Sequence, residues 1–531
     1  MGEKISFILK ARVSWQKKWL CLFLIATLFI IWNFIGCSPY LRLKREIRTI
    51  SQFNLLDKRS PFLKVHMLNG RVYILSEWRG DEEEKTVSGK GSLLDINRNL
   101  IEKGNFTIPL DEVAIFETNV LKSSPSITAM AVLTVPSAML SILCIANPKA
   151  CFGSCPTFYA WDGEKMALQA EGFSASVTPS LEAKDIDALY RTKPSGHDFE
   201  VRVTNEALET HVIRYVNLLA LPRPENGRTF ATSSGEFWQA PEIIEPTACI
   251  ASEGDCLAAI QSFDGVERFS KTNSKDLATR ETIDLVFESF PSGKAGLVLG
   301  FRQTLLTTYL FYQGLAYMGH ASGYWLAKME RGDKDVLKHS SGIGQVLGGI
   351  DIFIQDNNDN WVLAGEINET GPIASDVRVV PLPKVESIPF KIRLRMTCGL
   401  WRIDYIALAK LSQPVEPIRL QPSMVLREDL VDEEAIKRLS DPSNVLVTMP
   451  GDSYKIVYDL PNDFQLYELF LESQGYYLEW IRPDWLAEEN LKKTLMMFTD
   501  PEGFLKEIAP EFKKVEPQLE ELFWRSKYVR K

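Results

Sequence analysis

Cysteines, carboxylates and loop aromatics are the side chains in this sequence whose types and spacing could do chemistry. Cys144, Cys151 and Cys155 are spaced C-x6-C-x3-C. A zinc or iron–sulfur site needs about four thiolate or imidazole ligands, and none of the five histidines lies near this cluster in sequence. A disulfide within the cluster, Cys151 with Cys155, is the sharper expectation in an oxidising compartment, and buried reduced thiols the plainer one. Cys249 and Cys256 close a short Gly- and Ser-containing loop and are expected to pair on the same condition. Asp356, Asn358 and Asn360 alternate oxygen-bearing side chains as a calcium loop does, without the following glycine or a bidentate glutamate at the right distance. Asp and Asn also make ordinary hairpin tips.

For catalysis the chain offers no G-x-S-x-G elbow, no H-E-x-x-H and no phosphate-binding glycine loop. Ser341 to Gly344 reads as a glycine-rich turn. His320 and His339 lack a recognisable partner. Glu366, Glu369 and Asp376 lie on or just after a strand, where a pair of carboxylates could serve a glycosidase-type reaction. Trp238, Tyr324, Trp325, Trp361 and Trp401 fall in or beside loops, where aromatic faces hold sugars or peptides, although large aromatics more often bury. No catalytic residue, metal ligand or cofactor is assigned from these patterns.

The elements that must position these residues form a chain of several domains, because 531 residues exceed a single core. A net charge of -9 and a pI near 5.4 argue against nucleic acid as a partner, since phosphate recognition calls for a basic face. The chain opens with Lys4, Lys10, Arg12, Lys17 and Lys18 before an apolar run from Trp19 to Ile35, the pattern of an export signal. Phe34-Ile35-Gly36-Cys37 resembles the bacterial lipobox, which makes residues 1–37 a signal and lipobox and implies lipid attachment at Cys37 after cleavage in front of it. The competing reading is an uncleaved signal anchor. A second uncharged run, residues 127–146, has the length of a membrane span with Pro136 as a kink, or could be a buried or interfacial segment. If both runs span, residues 50–122 and the large C-terminal region lie on opposite sides of the membrane.

The rest of the chain is expected to be mainly β. Residues 50–122 read as a small β-barrel-like domain, similar to SH3 or Sm barrels. Phe62–Met67 and Arg71–Trp78 should form a hairpin, Asp81 to Gly91 a loop, and Phe106–Pro109 and Val113–Glu117 closing strands. Residues 147–411 read as a β-sandwich-like region with helical insertions. Among them Leu305, Tyr309, Tyr312 and Ala316 recur at helical spacing before a stop at Gly319. Residues 421–531 should hold a strand pair, Ser453–Leu460 with Leu466–Glu472, then amphipathic helices with Asp500 as an N-cap, packed on the sandwich. Gly399 to Leu408 resembles the last strand of galactose-binding-like jelly rolls.

Taken as a whole, the chain resembles uncharacterised bacterial envelope proteins and lipoproteins, a class with no assigned activity. The resemblance implies a membrane-anchored envelope protein, mostly periplasmic or extracellular. We expect a binding or scaffolding role toward a glycan or protein partner, with the membrane as its other partner. An envelope enzyme acting on glycans or peptides, and a docking component of a secretion or envelope assembly, are the alternatives. A deep pocket with converging Asp, Glu or His would favour the enzyme.

Overall fold

The computed structural model describes residues 41–123 and 155–525, apart from 49, 61, 68–70, 95–99, 208, 331, 333, 337–341, 369–370, 385–388, 450 and 480–487. Cys37, Cys144, Cys151, His339, Glu369 and both apolar runs therefore lie outside the described residues. Among the described residues no helix is long and apolar enough to cross a membrane.

Among the described residues the chain is mainly β, in five sheets. The N-terminal sheet has six antiparallel strands, ordered Leu41–Arg48, Val113–Ser123, Phe62–Met67, Val72–Asp81, Thr86–Leu94 and Leu100–Pro109. Leu63, Val65, Leu75, Val87, Ile108 and Phe116 make its core. The loop expected through Gly89 and Gly91 is instead a strand, and the glycines are there because strands cross closely. A Cβ on Gly91 would stand 1.9 Å from the carbonyl oxygen of Ile74.

Four more sheets stack as layers, called B to E. Sheet B carries Thr157–Trp161, Met166–Glu171, Asp198–Thr204, Met424–Arg427 and Ser453–Asp459. Sheet C is built on Glu209–Pro222 and Tyr467–Glu479, with Ala183–Ala188 at one edge. Sheet D centres on Ala295–Gln303, Trp401–Lys410 and Asp376–Leu382, and sheet E on Arg280–Phe287, Phe390–Thr397, Ile350–Gln355 and Trp361–Ile367. Side chains alternate across a strand, so one strand can serve two cores. In Glu209–Pro222, Val216, Leu218 and Ala220 pack toward sheet B, while Leu219 and Leu221 pack toward sheet D. In Ala295–Gln303, Leu297 and Leu299 face sheet E and Val298 faces sheet C. Burial on both faces is why these strands are continuously apolar rather than alternating. Each leucine so buried contributes about 1.5–3 kcal/mol relative to exposure.

Strands from both ends of the β-rich region share sheets B and C, so residues after 421 complete layers begun near 157. The strand pair expected there does not form. Ser453–Asp459 joins sheet B and Tyr467–Glu479 joins sheet C, because each finds a long apolar partner elsewhere.

Helices cover the open face. Helix α1 is Leu306–Met318, ended by Gly319 at φ 51°, and α2 is Ser322–Glu330. The expected glycine turn is helix α3, Gly342–Leu347. Glu433–Ser440 is α4, Leu491–Thr499 is α5 and Pro501–Arg525 is α6. Asp500 caps α6, its carboxylate accepting the Gly503 amide at 3.0 Å. Phe504, Leu505, Ile508, Phe512, Leu519 and Phe523 of α6 join the core between sheets D and E, so the amphipathic stripe is core-facing.

The small N-terminal sheet docks on this stack. Its Ile115 shares an apolar cluster with Val212, Val445, Tyr476 and Leu478. Lys64 sits between Glu117 at 3.0 Å and Glu330 of α2 at 2.8 Å.

Candidate functional site

Three of the layers contribute charged side chains to one place, and the fourth closes it with a serine-bearing segment. Where the edge strand Ala183–Ala188 of sheet C meets Asp376–Leu382 of sheet D, a cavity of about 430 Å³ is lined by Lys184, Asp185, Asp376 and Arg378. Glu366 and Asn368, at the end of a sheet E strand, close one side, and Ser174 to Ser176, after the last strand of sheet B, close another.

Arg378 is the centre of its electrostatics. One of its amino groups contacts Asp376 at 2.8 Å and Asp185 at 3.8 Å. Asp185 also accepts the amides of Phe173 (3.1 Å) and Ile186 (2.9 Å), and Asp376 accepts that of Val377 (2.7 Å). Asp187, two residues on and on the same strand face as Asp185, is 6% exposed. Burial pushes its carboxyl well above the usual carboxylate range, and the neighbouring Asp185 and Asp376 push it further. Burial also raises Asp185 and Asp376, against the opposing pull of Arg378.

Glu171, at the end of sheet B, lies behind this group and lines an adjoining cavity rather than this one. Its Oε2 accepts the amides of Ile373 (2.6 Å) and Ala374 (3.3 Å), and burial still lifts its pKa to about 7. A Cβ on Gly371 would stand 2.0 Å from that oxygen, so only glycine lets the loop approach. Several buried polar atoms here have no hydrogen-bond partner among the described residues: Arg378 Nη1, Asp187 Oδ2, Glu171 Oε1, Ser176 Oγ and Ser473 Oγ. Such atoms are costly unless something else pairs with them. The arrangement can donate from a guanidinium and accept at several carboxylates, all of which burial shifts toward the protonated form. Among the described residues no group of three or more His, Cys, Asp or Glu is placed to hold a metal ion.

Of the carboxylates singled out in sequence, Asp376 and Glu366 meet at this cavity. Asp185, Asp187, Arg378 and Glu171 were missed. Aspartates are poor strand formers, and Ala183–Ala188 carries two of them. The usable signal was the Asp185-Ile186-Asp187 alternation with period two.

The other candidates lie elsewhere. Cys249 and Cys256 are bonded, with Cα atoms 5.2 Å apart. Cys155 is a free, buried thiol 3.7 Å from the Ser174 carbonyl, so the expected bond to Cys151 is not formed at its described end. Burial, with Glu171 and Glu209 nearby, pushes that thiol's pKa up. Asp356 accepts the amides of Asn358 and Asn360, both at 2.8 Å, and so serves the hairpin tip. His320 pairs with Glu489 at 3.0 Å. The expected aromatic face is dispersed. Trp401 is 1% exposed, Trp238 lies under Lys294, Trp361 under Arg393, and half-buried Trp325 packs against Phe498.

No family model matches the chain. No curated protein matches it either. Among solved structures, a beta-porphyranase of glycoside hydrolase family 86 from Bacteroides plebeius aligns at 8% identity over 47% of this chain and 39% of its own, with a TM-score of 0.14. The GH31 alpha-xylosidase of Xanthomonas citri aligns at 8% identity over 79% of this chain and 37% of its own, also at 0.14. This chain thus spans well under half the length of either, and likenesses of that score bear on neither fold nor chemistry.

Proposed function

We propose that this is a membrane-anchored envelope protein with a binding role, and that the cavity around Arg378 takes a neutral, hydroxyl-rich ligand such as a sugar. The observation that carries the reading is the convergence of Asp185, Asp376, Glu366 and Arg378 on one cavity of about 430 Å³, with Arg378 Nη1 left unpaired. Hydroxyl groups donate to carboxylates and accept from a guanidinium at once, so a polyol satisfies both. An anion would meet several carboxylates, and a bulky apolar group would strand the buried charges. In this reading the small N-terminal domain is SH3- or Sm-like, the layered region is sandwich-like, and Cys37 or the preceding apolar run supplies the anchor.

The test is thermal unfolding of the full chain with a panel of neutral mono- and disaccharides. A ligand at one hundred times its Kd stabilises by about 2.7 kcal/mol, which raises Tm measurably. Asp185→Asn and Arg378→Gln should abolish the shift. A panel in which no sugar moves Tm would overturn the proposal.

One observation favours a second reading, an enzyme acting on glycans. Glu171 has a pKa of about 7, and burial also raises the neighbouring Asp187, Asp185 and Asp376, the last paired with Arg378. A carboxyl raised toward neutral pH is what a general acid needs. Turnover of aryl glycosides that is lost in Asp187→Asn would establish it.

A further inference from the structure

A second cavity adjoins the polar one. It measures about 710 Å³, and its walls are mainly helical: Leu310, Phe311 and Leu315 of α1, Trp325 of α2, Ile343 of α3 and Met497 of α5. Ser174, Ala175, Glu366 and Asn368 line both cavities, so the two meet along one shared wall. Protein interiors pack to near-crystalline density, and a space of this size is far larger than a packing defect. Cavities lined by Leu, Ile, Phe and Met stay dry and accept hydrocarbon.

We infer that the ligand is a neutral amphiphile, with its hydroxyl-rich head at Arg378 and a single hydrocarbon chain in the helix-walled cavity. This deepens the proposed function and rests on it. The two cavities differ in what they ask of a ligand. The polar one presents hydrogen-bonding groups with an excess of carboxylate, and the other is lined largely by apolar side chains. A molecule with one end of each kind satisfies both, and the shared wall places its junction beside Glu366 and Asn368. A fatty acid has the right chain and the wrong head, because its carboxylate would face Asp185, Asp376 and Glu366.

The test titrates the full chain with octyl, decyl and dodecyl maltoside, each below its critical micelle concentration, with maltose and dodecanoate as the chainless and anionic probes. Calorimetry gives Kd and stoichiometry. One site per chain is expected, with affinity rising about threefold to fourfold per added methylene and dodecanoate at least tenfold weaker than dodecyl maltoside. Ile343→Trp, at a half-buried wall position, should narrow the cavity and reduce the chain-length dependence while maltose still binds. If that variant does not fold, Ile343→Ser should weaken dodecyl maltoside about tenfold and leave maltose unchanged.

Maltose binding with no dependence on chain length would overturn the amphiphile and leave the polar reading standing. Chain-length dependence that is undiminished in Ile343→Trp would place the chain elsewhere and overturn it too. Dodecyl maltoside and maltose affinities both unchanged in Arg378→Gln would overturn the polar head, and with it the reading on which this inference rests. No binding by any maltoside would overturn both.

Discussion

Two buried charge clusters in this molecule differ in how they are balanced. Near the start of α1 and the end of α6, Arg302 and Arg402 face Glu267 and Glu520. Arg302 grips Glu267 with two contacts at 2.6 and 2.8 Å, and Arg402 holds Glu520 at 2.9 Å. Cross-contacts of 3.3 Å tie Arg302 to Glu520 and Arg402 to Glu267, and the Pro372 carbonyl takes another Arg302 donor at 2.8 Å. Two cations meet two anions there. The cluster around Arg378 has more acid than base and keeps buried polar atoms without protein partners. The balanced cluster fastens α6 to sheet D, and the unbalanced one is where the proposed ligand would supply the missing partners. Neither burial nor charge alone separates a clamp from a site. The unsatisfied remainder does.

The largest expected effect attacks the clamp. Arg302→Met should lower unfolding stability by about 3–5 kcal/mol, because two largely buried carboxylates lose a shared cation and are left with Arg402 alone. Arg378→Met should cost less than half as much, since the acids around it are already shifted toward the neutral form. Denaturant midpoints for the two variants check the contrast, and equal losses would break it.

Next comes Glu171→Gln. A carboxyl raised to about 7 holds its proton longer in the folded state. Its contribution is therefore fully present below the unfolded value near 4.5 and is lost as pH rises to about 7. Removing the charge should stabilise the protein at pH 8 by on the order of 3 kcal/mol and flatten the fall in stability between those pH values. Urea unfolding at pH 5 and pH 8 reads both.

Asp187→Asn should act in the same direction at pH 8, by about 1–3 kcal/mol, the usual cost of a buried polar group that is left unpaired. A destabilised variant would show that Asp187 has a structural partner after all. The smallest effect belongs to a surface pair used as a control. Asp284→Asn removes a two-point contact with Arg393, both groups about a third or more exposed, and should cost about 0.2–1 kcal/mol.

The sequence revealed the elements whose signals are local. Phe62–Met67 alternates and is a strand over the expected residues, Gly319 ends α1 as its position suggested, and Asp500 caps α6. What it concealed depends on partners far away in the chain. The Ser453 and Leu466 segments read as neighbours because they are adjacent in sequence, whereas each pairs with a strand more than 200 residues earlier. The site was half visible for the same reason. Asp376 and Glu366 follow apolar strands and drew attention, but Asp185, Asp187 and Arg378 become significant only once sheets C and D are packed together.

The docking of the small sheet carries a consequence for sidedness. Ile115 packs against Tyr476 and Leu478, and Lys64 reaches Glu330, contacts that a bilayer lying between the small sheet and the stack would break. Impermeant thiol reagents applied to a chain with single cysteines at Lys58 and Lys294 should therefore reach both from the same side and neither from the other.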